Sequence, residues 1–204
     1  MNKGLTIKKI FNGVLRRFLG TQIMKVHYLG TKTRSSSTDI DELVKPLEYN
    51  DFLLGDKEEF TEEKLKAVKE KFSDDSYKAF GIIDKGILIY SCWLSLKQLG
   101  LPVVLRNPIL LNNDQSYLED AYCSVSARGQ GLHTKMITYR NSQSFILGKR
   151  ESVITVLDGN IPALKANLKS GMKDLGVFYC GRILGRPFCT LTPKKKAKFD
   201  SKIQ

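Results

Sequence analysis

The chain has two histidines, His27 and His133, too few for a histidine-rich metal site. Its four cysteines, Cys92, Cys123, Cys180 and Cys189, form no Cys-x-x-Cys pair. Three lie in strand-like apolar runs, so the expectation is buried, reduced thiols with neither a disulfide nor a metal role. No run of apolar residues reaches the roughly 18 that a transmembrane helix needs. The start lacks the apolar core and cleavage site of a secretory signal, which points to a cytoplasmic protein. The nucleotide loop Gly-x-x-x-x-Gly-Lys-Ser/Thr is absent. The dinucleotide fingerprint Gly-x-Gly-x-x-Gly is broken too, because Thr134 stands where a third glycine would follow Gly129 and Gly131. There are no internal repeats.

What is present suits a folded domain. A chain of 204 residues with a 42% hydrophobic share and ten Phe and eight Tyr can bury a core. The net charge is +12, unevenly spread. Residues 1–25 carry Lys3, Lys8, Lys9, Arg16, Arg17 and Lys25 and no acid, and residues 192–204 carry five lysines against Asp200. Within 1–25, Ile7, Ile10, Phe11, Val14, Leu15, Phe18 and Leu19 recur at helical spacing, with the charges largely off that stripe. This reads as a basic amphipathic helix, able to pack on the protein, on a second subunit or on an anionic membrane surface. The organisation expected is therefore a basic segment 1–25, a domain 26–191 and a Lys-rich tail 192–204.

The domain patterns as α/β. Met24–Leu29 is strand-like, Glu62–Phe72 an amphipathic helix, and Phe80–Ile83 with Ile87–Leu94 a hairpin around Asp84-Lys85-Gly86. Gly100–Asn113 is apolar but broken by Pro102 and Pro108, hence irregular or an edge strand. The run Tyr117–Val125 leads into Arg128-Gly129-Gln130-Gly131-Leu132-His133, followed by a helical run to Leu147. Two glycines at a strand-to-helix junction allow a sharp bend, and the helix start offers N–H groups and a positive dipole end to an anion. Then come a buried strand Ser152–Leu157, Asp158-Gly159-Asn160, a helix Ile161–Lys169, Gly171-Met172 and a strand Leu175–Leu184. Asn160 is placed to cap the second helix.

These residues resemble the GNAT superfamily of acetyl-CoA-dependent N-acyltransferases. The family's loop Gln/Arg-x-x-Gly-x-Gly/Ala is met by Arg128, Gly131 and His133, and its later Asn-x-x-Ser/Ala and Gly-Phe by Asn160, Ala163 and Gly171-Met172. Order and spacing agree over about residues 77–186. The resemblance implies a single domain with a mixed central sheet flanked by helices, and acetyl-CoA or another acyl-CoA as co-substrate, with no metal. It also implies that the backbone from Arg128 through Gly129, Gln130, Gly131 and Leu132 to His133 grips the pyrophosphate. The backbone of Cys123 and Val125 would pair with the pantetheine arm, and Asn160 would bond that arm. His133 departs from the usual small residue. Asn167 stands where many members have a proton-donating Tyr, which leaves Tyr122 or Tyr139 as donor candidates, and an amide has no such proton. A carboxylate on the motif strand serves as general base in several members. Here Glu119 and Asp120 are the candidates, expected on opposite faces of a regular strand, with Glu119 preferred for sharing a face with Cys123 and Val125. Trp93 could line the acceptor pocket. Direct transfer, without a Cys123 acyl-enzyme, is implied.

The acceptor is written elsewhere, in residues 26–116, where no motif stands out. A basic start followed by one transferase domain loosely resembles the small transferases of bacterial surface-polysaccharide biosynthesis. That implies an amine on an amino sugar carried by a nucleotide or lipid diphosphate, and a workplace in the cytoplasm or at the inner face of an anionic membrane. The competing class is a catalytically degenerate protein of the same fold that binds RNA or an anionic membrane through its basic ends. The oligomeric state, a dimer included, stays open.

Overall fold

The computed structural model describes residues 23–194. The basic helix expected within 1–25 and most of the Lys-rich tail lie outside the described residues. Eight strands form one sheet: β1 (Met24–Lys32), β2 (Lys45–Pro46), β3 (Tyr77–Asp84), β4 (Ile87–Ser95), β5 (Gln115–Cys123), β6 (Glu151–Leu157), β7 (Lys173–Ile183) and β8 (Arg186–Pro193). Among the described residues four helices accompany them: α1 (Tyr49–Phe52), α2 (Glu62–Phe72), α3 (Leu132–Ile146) and α4 (Ile161–Lys169). The spatial order is β2-β3-β4-β5-β6-β1-β7-β8. Every neighbouring pair is antiparallel except β5–β6, which is parallel, with α3 as the crossover.

Local sequence explains most of these elements. The Lys85-Gly86 turn joins β3 to β4 with φ of 49° and 80°, the double positive φ of a two-residue hairpin turn that follows strand twist. Thr61 caps α2 through Lys64 N–H, and Asn160 caps α4 through Ala163 N–H at 3.2 Å. One sheet face is covered by α3 and α4, which bury Leu29, Leu94, Leu118, Met136, Ile137 and Ile154 together. On the other face, α1, which carries Phe52, and α2 lie over Trp93. Beside them the segment 96–114 covers Val26, Tyr117, Val153 and Phe178. That segment is the irregular stretch expected from its prolines. It is drawn together by Leu99 N–H to Ile109 O and Leu111 N–H to Lys97 O, each 2.9 Å. Among the described residues no helix is long and apolar enough to cross a membrane.

Two expectations are corrected. Residues 186–193 form a strand, β8, that the sequence pattern did not announce, because Arg186, Pro187 and alternating Thr mask its apolar side. The register of the β7–β8 hairpin then sets Cys180 directly opposite Cys189, with Cα atoms 4.1 Å apart, and the two are joined as a disulfide. The reading of all four cysteines as reduced thiols fails for this pair. Cys92 and Cys123 are free thiols.

Met136 is fully enclosed at the centre of the α3 face (0% exposed). Met136→Ala lowers the unfolding free energy by about 2–5 kcal/mol, measured by urea denaturation, since the cavity cannot collapse against a rigid sheet.

Candidate active site

The phosphate-type loop forms as the glycines require. β5 ends at Cys123, Ser124 N–H donates to Ile89 O at 2.9 Å, and a single 3₁₀ turn, Val125–Ala127, follows. Val125 thus leaves the strand and is exposed in the turn. Gly129 and Gly131 have φ of 80° and 74°, and a Cβ at either would meet nothing within 4 Å. They serve backbone direction, and the space before them is open. Arg128 Nε reaches back to Cys123 O (3.2 Å) and Gln130 Nε2 to Ser126 O (3.3 Å), bracing an otherwise exposed loop. No side chain caps α3, so the N–H groups of its first turn are left as donors for an anion.

His133, in that first turn, points inward. Its Nδ1 lies 2.7 Å from Tyr90 Oη, and burial, helped by the Arg140 charge, pulls its pKa down to about 4. The imidazole is therefore neutral at pH 7 and accepts from the Tyr90 hydroxyl, itself held protonated by burial. Leu132 is buried beside it and anchors the helix start.

A gap opens next to this loop. β5 pairs with β6 only over Gln115–Tyr117 and Glu151–Val153. Beyond Tyr117 that edge of β5 has no strand partner, while its other edge stays on β4. One edge of β5 beyond Tyr117 is thus left unpaired along this gap, the cleft beside the loop. The segment 96–114 roofs it on one side. Gly100 O accepts from Tyr117 Oη on β5 (2.8 Å) and from Thr155 Oγ1 on β6 (2.9 Å).

The expectation that Glu119 and Asp120 face opposite ways is overturned here. Trp93 is paired with Glu119 but Ser91 with Tyr122, so two residues, Asp120 and Ala121, oppose Cys92 alone. This is a β-bulge, and Asp120 takes φ of 41° in it. The extra residue cancels the period of two, and both carboxylates turn toward α2. Glu119 Oε1 is 3.2 Å from Lys71 Nζ, and Asp120 is 3.8 Å from Lys71 and 3.5 Å from Lys64. Glu119 is the more enclosed carboxylate. Burial pushes its pKa up, Lys71 pulls it down, and Asp120 adds a smaller upward push. An enclosed carboxyl with a raised pKa beside the unpaired edge suits a proton acceptor.

The remaining candidates separate. Tyr122 is 8% exposed and packed edge-on against Phe60. Tyr139 packs on Phe80. Burial pushes the Cys123 thiol up, against the pull of Arg128, so it stays a thiol at neutral pH. Trp93 stacks on Phe52. Asn167 is buried on α4, donating to Ala163 O at 2.8 Å, with its Oδ1 unpartnered. Among the described residues no group of three or more His, Cys, Asp or Glu is placed to hold a metal. A groove of about 940 Å³ lined by Lys32, Asn112, Lys149, Arg150 and Lys173 lies at the foot of the sheet and touches neither loop nor cleft.

Three features were missed by sequence reasoning. Arg140 is wholly buried (0% exposed), and one guanidinium nitrogen donates to both Trp93 O (3.1 Å) and Glu119 O (3.2 Å), bridging β4 and β5 at the bulge. Its helical spacing from Met136 and Ile137 was the available signal. Lys64 and Lys71 lie seven apart, along the inward stripe Leu65, Val68 and Phe72, which was theirs. Nothing in the sequence marked Gly100.

No family model and no curated protein sequence matches the chain. Solved structures match it in fold. A putative GNAT-family acetyltransferase from Novosphingobium aromaticivorans aligns at TM-score 0.54 and 11% identity, over 78% of this chain and 64% of its own. AAC(6')-Iy, bound to the bisubstrate analogue CoA-S-monomethyl-acetylneamine, aligns at 0.50 and 15%, over 64% of this chain and 90% of its own. A Drosophila protein aligns at 0.58 and 10%, over 88% and 57%. The chain thus spans less than two thirds of the length of some structures it matches, and it has the fold of the GNAT acetyltransferases.

Two pH dependences follow. His133 is depressed in the folded protein, so the unfolded chain binds its proton first and stability is lost as pH falls from about 6.5 toward 4, by about 2–3 kcal/mol. His133→Asn removes this component, as read by urea unfolding at pH 7 and pH 4.5. Glu119 is raised, so its contribution has the opposite sign: present at low pH and lost as pH rises through its folded value. Lys71→Met removes the interactions that hold Glu119 down, and its carboxyl resonance then titrates at higher pH in ¹³C NMR.

Proposed function

We propose that this protein is an N-acyltransferase that moves an acetyl, or longer acyl, group from acyl-CoA directly to a primary amine. The observation carrying the proposal is the uncapped glycine loop at the start of α3, opening onto the unpaired edge of β5. A pyrophosphate fits the loop because its backbone donors have no competing side-chain cap. An extended arm fits the cleft because the edge of β5 beyond Tyr117 has no strand partner there. Acyl-CoA supplies an activated thioester.

Each residue then has a definite part. The loop from Arg128 to His133 holds the phosphates by main chain, with the Arg128 charge beside them. A β5 N–H within the bulge polarises the acyl carbonyl, as preorganised backbone donors stabilise developing charge. Glu119 takes the ammonium proton of the acceptor, which must be neutral to attack. Tyr122 and Tyr139 are packed against Phe60 and Phe80, so the leaving sulfur takes its proton from the attacking amine or from water. AAC(6')-Iy, bound to an analogue joining CoA to an aminoglycoside derivative, supports a small amine acceptor. An amino sugar on a nucleotide or lipid diphosphate suits the basic ends of the chain. A catalytically silent protein that binds a polyanion through those ends is the alternative.

Calorimetric titration with acetyl-CoA and desulfo-CoA decides between them. Both bind in the micromolar range, and Gly131→Trp, which projects a ring into the open space before the loop, abolishes binding. Absence of binding to either ligand would sink the enzyme reading. In the active protein, Glu119→Gln lowers kcat by about 10²- to 10⁴-fold in an amine-acceptor assay, with little change in the affinity for acetyl-CoA.

A further inference from the structure

The environment of Lys71 Nζ is unusual for a helix-end lysine. It lies 3.2 Å from Glu119 Oε1, 3.8 Å from Asp120 Oδ2, 5.0 Å from the Trp93 ring centroid and 5.9 Å from that of Tyr77. Two carboxylates and two aromatic faces form a seat for a primary ammonium. The Lys71 side chain is only 19% exposed. Lys64, from the same helix, is held differently, between Glu59, Asp120 and the Phe60 ring, and does not touch Glu119. On β5, Glu119 comes two residues past Tyr117, the last one paired with β6. An amine of this chain therefore already sits against the carboxylate best placed to deprotonate an acceptor, beside the strand edge that would hold the thioester.

We propose that Lys71 occupies the acceptor's ammonium seat and is a site of self-acetylation. The inference rests on the acyltransferase reading. The Lys71 ammonium gives one proton to Glu119, and its lone pair attacks the thioester carbonyl of acetyl-CoA. An N–C amide bond forms and the C–S bond breaks. The second amine proton goes to sulfur, CoA leaves as the thiol, and the proton on Glu119 passes to water. The acetylated side chain has no charge to pair with Glu119 and Asp120. Glu119 then faces the cleft without its internal cation, while Asp120 keeps Lys64, and the seat is free for an external ammonium.

The test is incubation of the full chain with acetyl-CoA and no added amine, followed by peptide mass spectrometry. Lys66 and Lys69, exposed on the same helix, serve as internal references. Lys71 gains an acetyl group at least about tenfold faster than either, because it is held next to its base. Excess desulfo-CoA suppresses Lys71 modification but not the slow background on the reference lysines. Glu119→Gln slows Lys71 modification by about 10²-fold and leaves the references unchanged. Modification of Lys71 no faster than Lys66 and Lys69, in protein shown by calorimetry to bind acetyl-CoA, overturns the inference and leaves the acyltransferase reading standing. Failure of acetyl-CoA to bind at all overturns both.

Discussion

The site rests on the parting of β5 and β6. Parallel neighbours normally continue their ladder, because an unpaired main-chain edge inside a protein is costly. Here the ladder stops after Tyr117 and Val153, although both strands run on. The helix between them explains how the break is held open. α3 starts at the far end of β5 on a loop with two left-handed glycines, and its buried face, Leu132, Met136, Ile137 and Arg140, packs against the sheet. The loop that could receive phosphates and the edge that could receive an arm are thus consequences of one departure from regular pairing.

Arg140 shows what keeps that departure stable. A buried guanidinium with no carboxylate partner is expensive, and two of its nitrogens have no acceptor. Its remaining donor satisfies two carbonyls, Trp93 O and Glu119 O, where the bulge disturbs the β4–β5 ladder. A bulge beside a cleft would otherwise be free to slide along the strand, since register is weakly specified where pairing is one-sided. By bridging both strands, Arg140 fixes which residue carries the extra turn of the chain, and so fixes the direction of Glu119. The same positive charge helps keep His133 neutral at the loop.

What could be read from the sequence is what depends on neighbours along the chain. The Gly129–Gly131 loop, the Asn160 cap, the Lys85-Gly86 turn and the limits of α2 and α4 are set by local conformational preference. What escaped depends on partners distant in sequence. Period-two reasoning put Glu119 and Asp120 on opposite faces, and a single inserted residue, visible only in the pairing with Trp93 and Ser91, put them together. The Cys180–Cys189 bond needed a strand whose apolar side is broken by Arg186 and Pro187. Lys71, unremarked in the sequence, meets Glu119 and Asp120 only because α2 lies across Trp93.

The tie from Gly100 to both walls of the cleft has one more consequence. The group that accepts from Tyr117 and Thr155 is a peptide carbonyl, which every residue supplies. That hydrogen bond does not depend on the side chains at the roof's outer part, where Val104 and Leu110 are largely in solvent. Substitutions there can redraw the shape offered to an incoming molecule while the loop at α3 and the edge of β5 keep their geometry. The outer part of the roof and the walls of the cleft thus vary separately, although Leu99 and Val103 still pin the roof to the core.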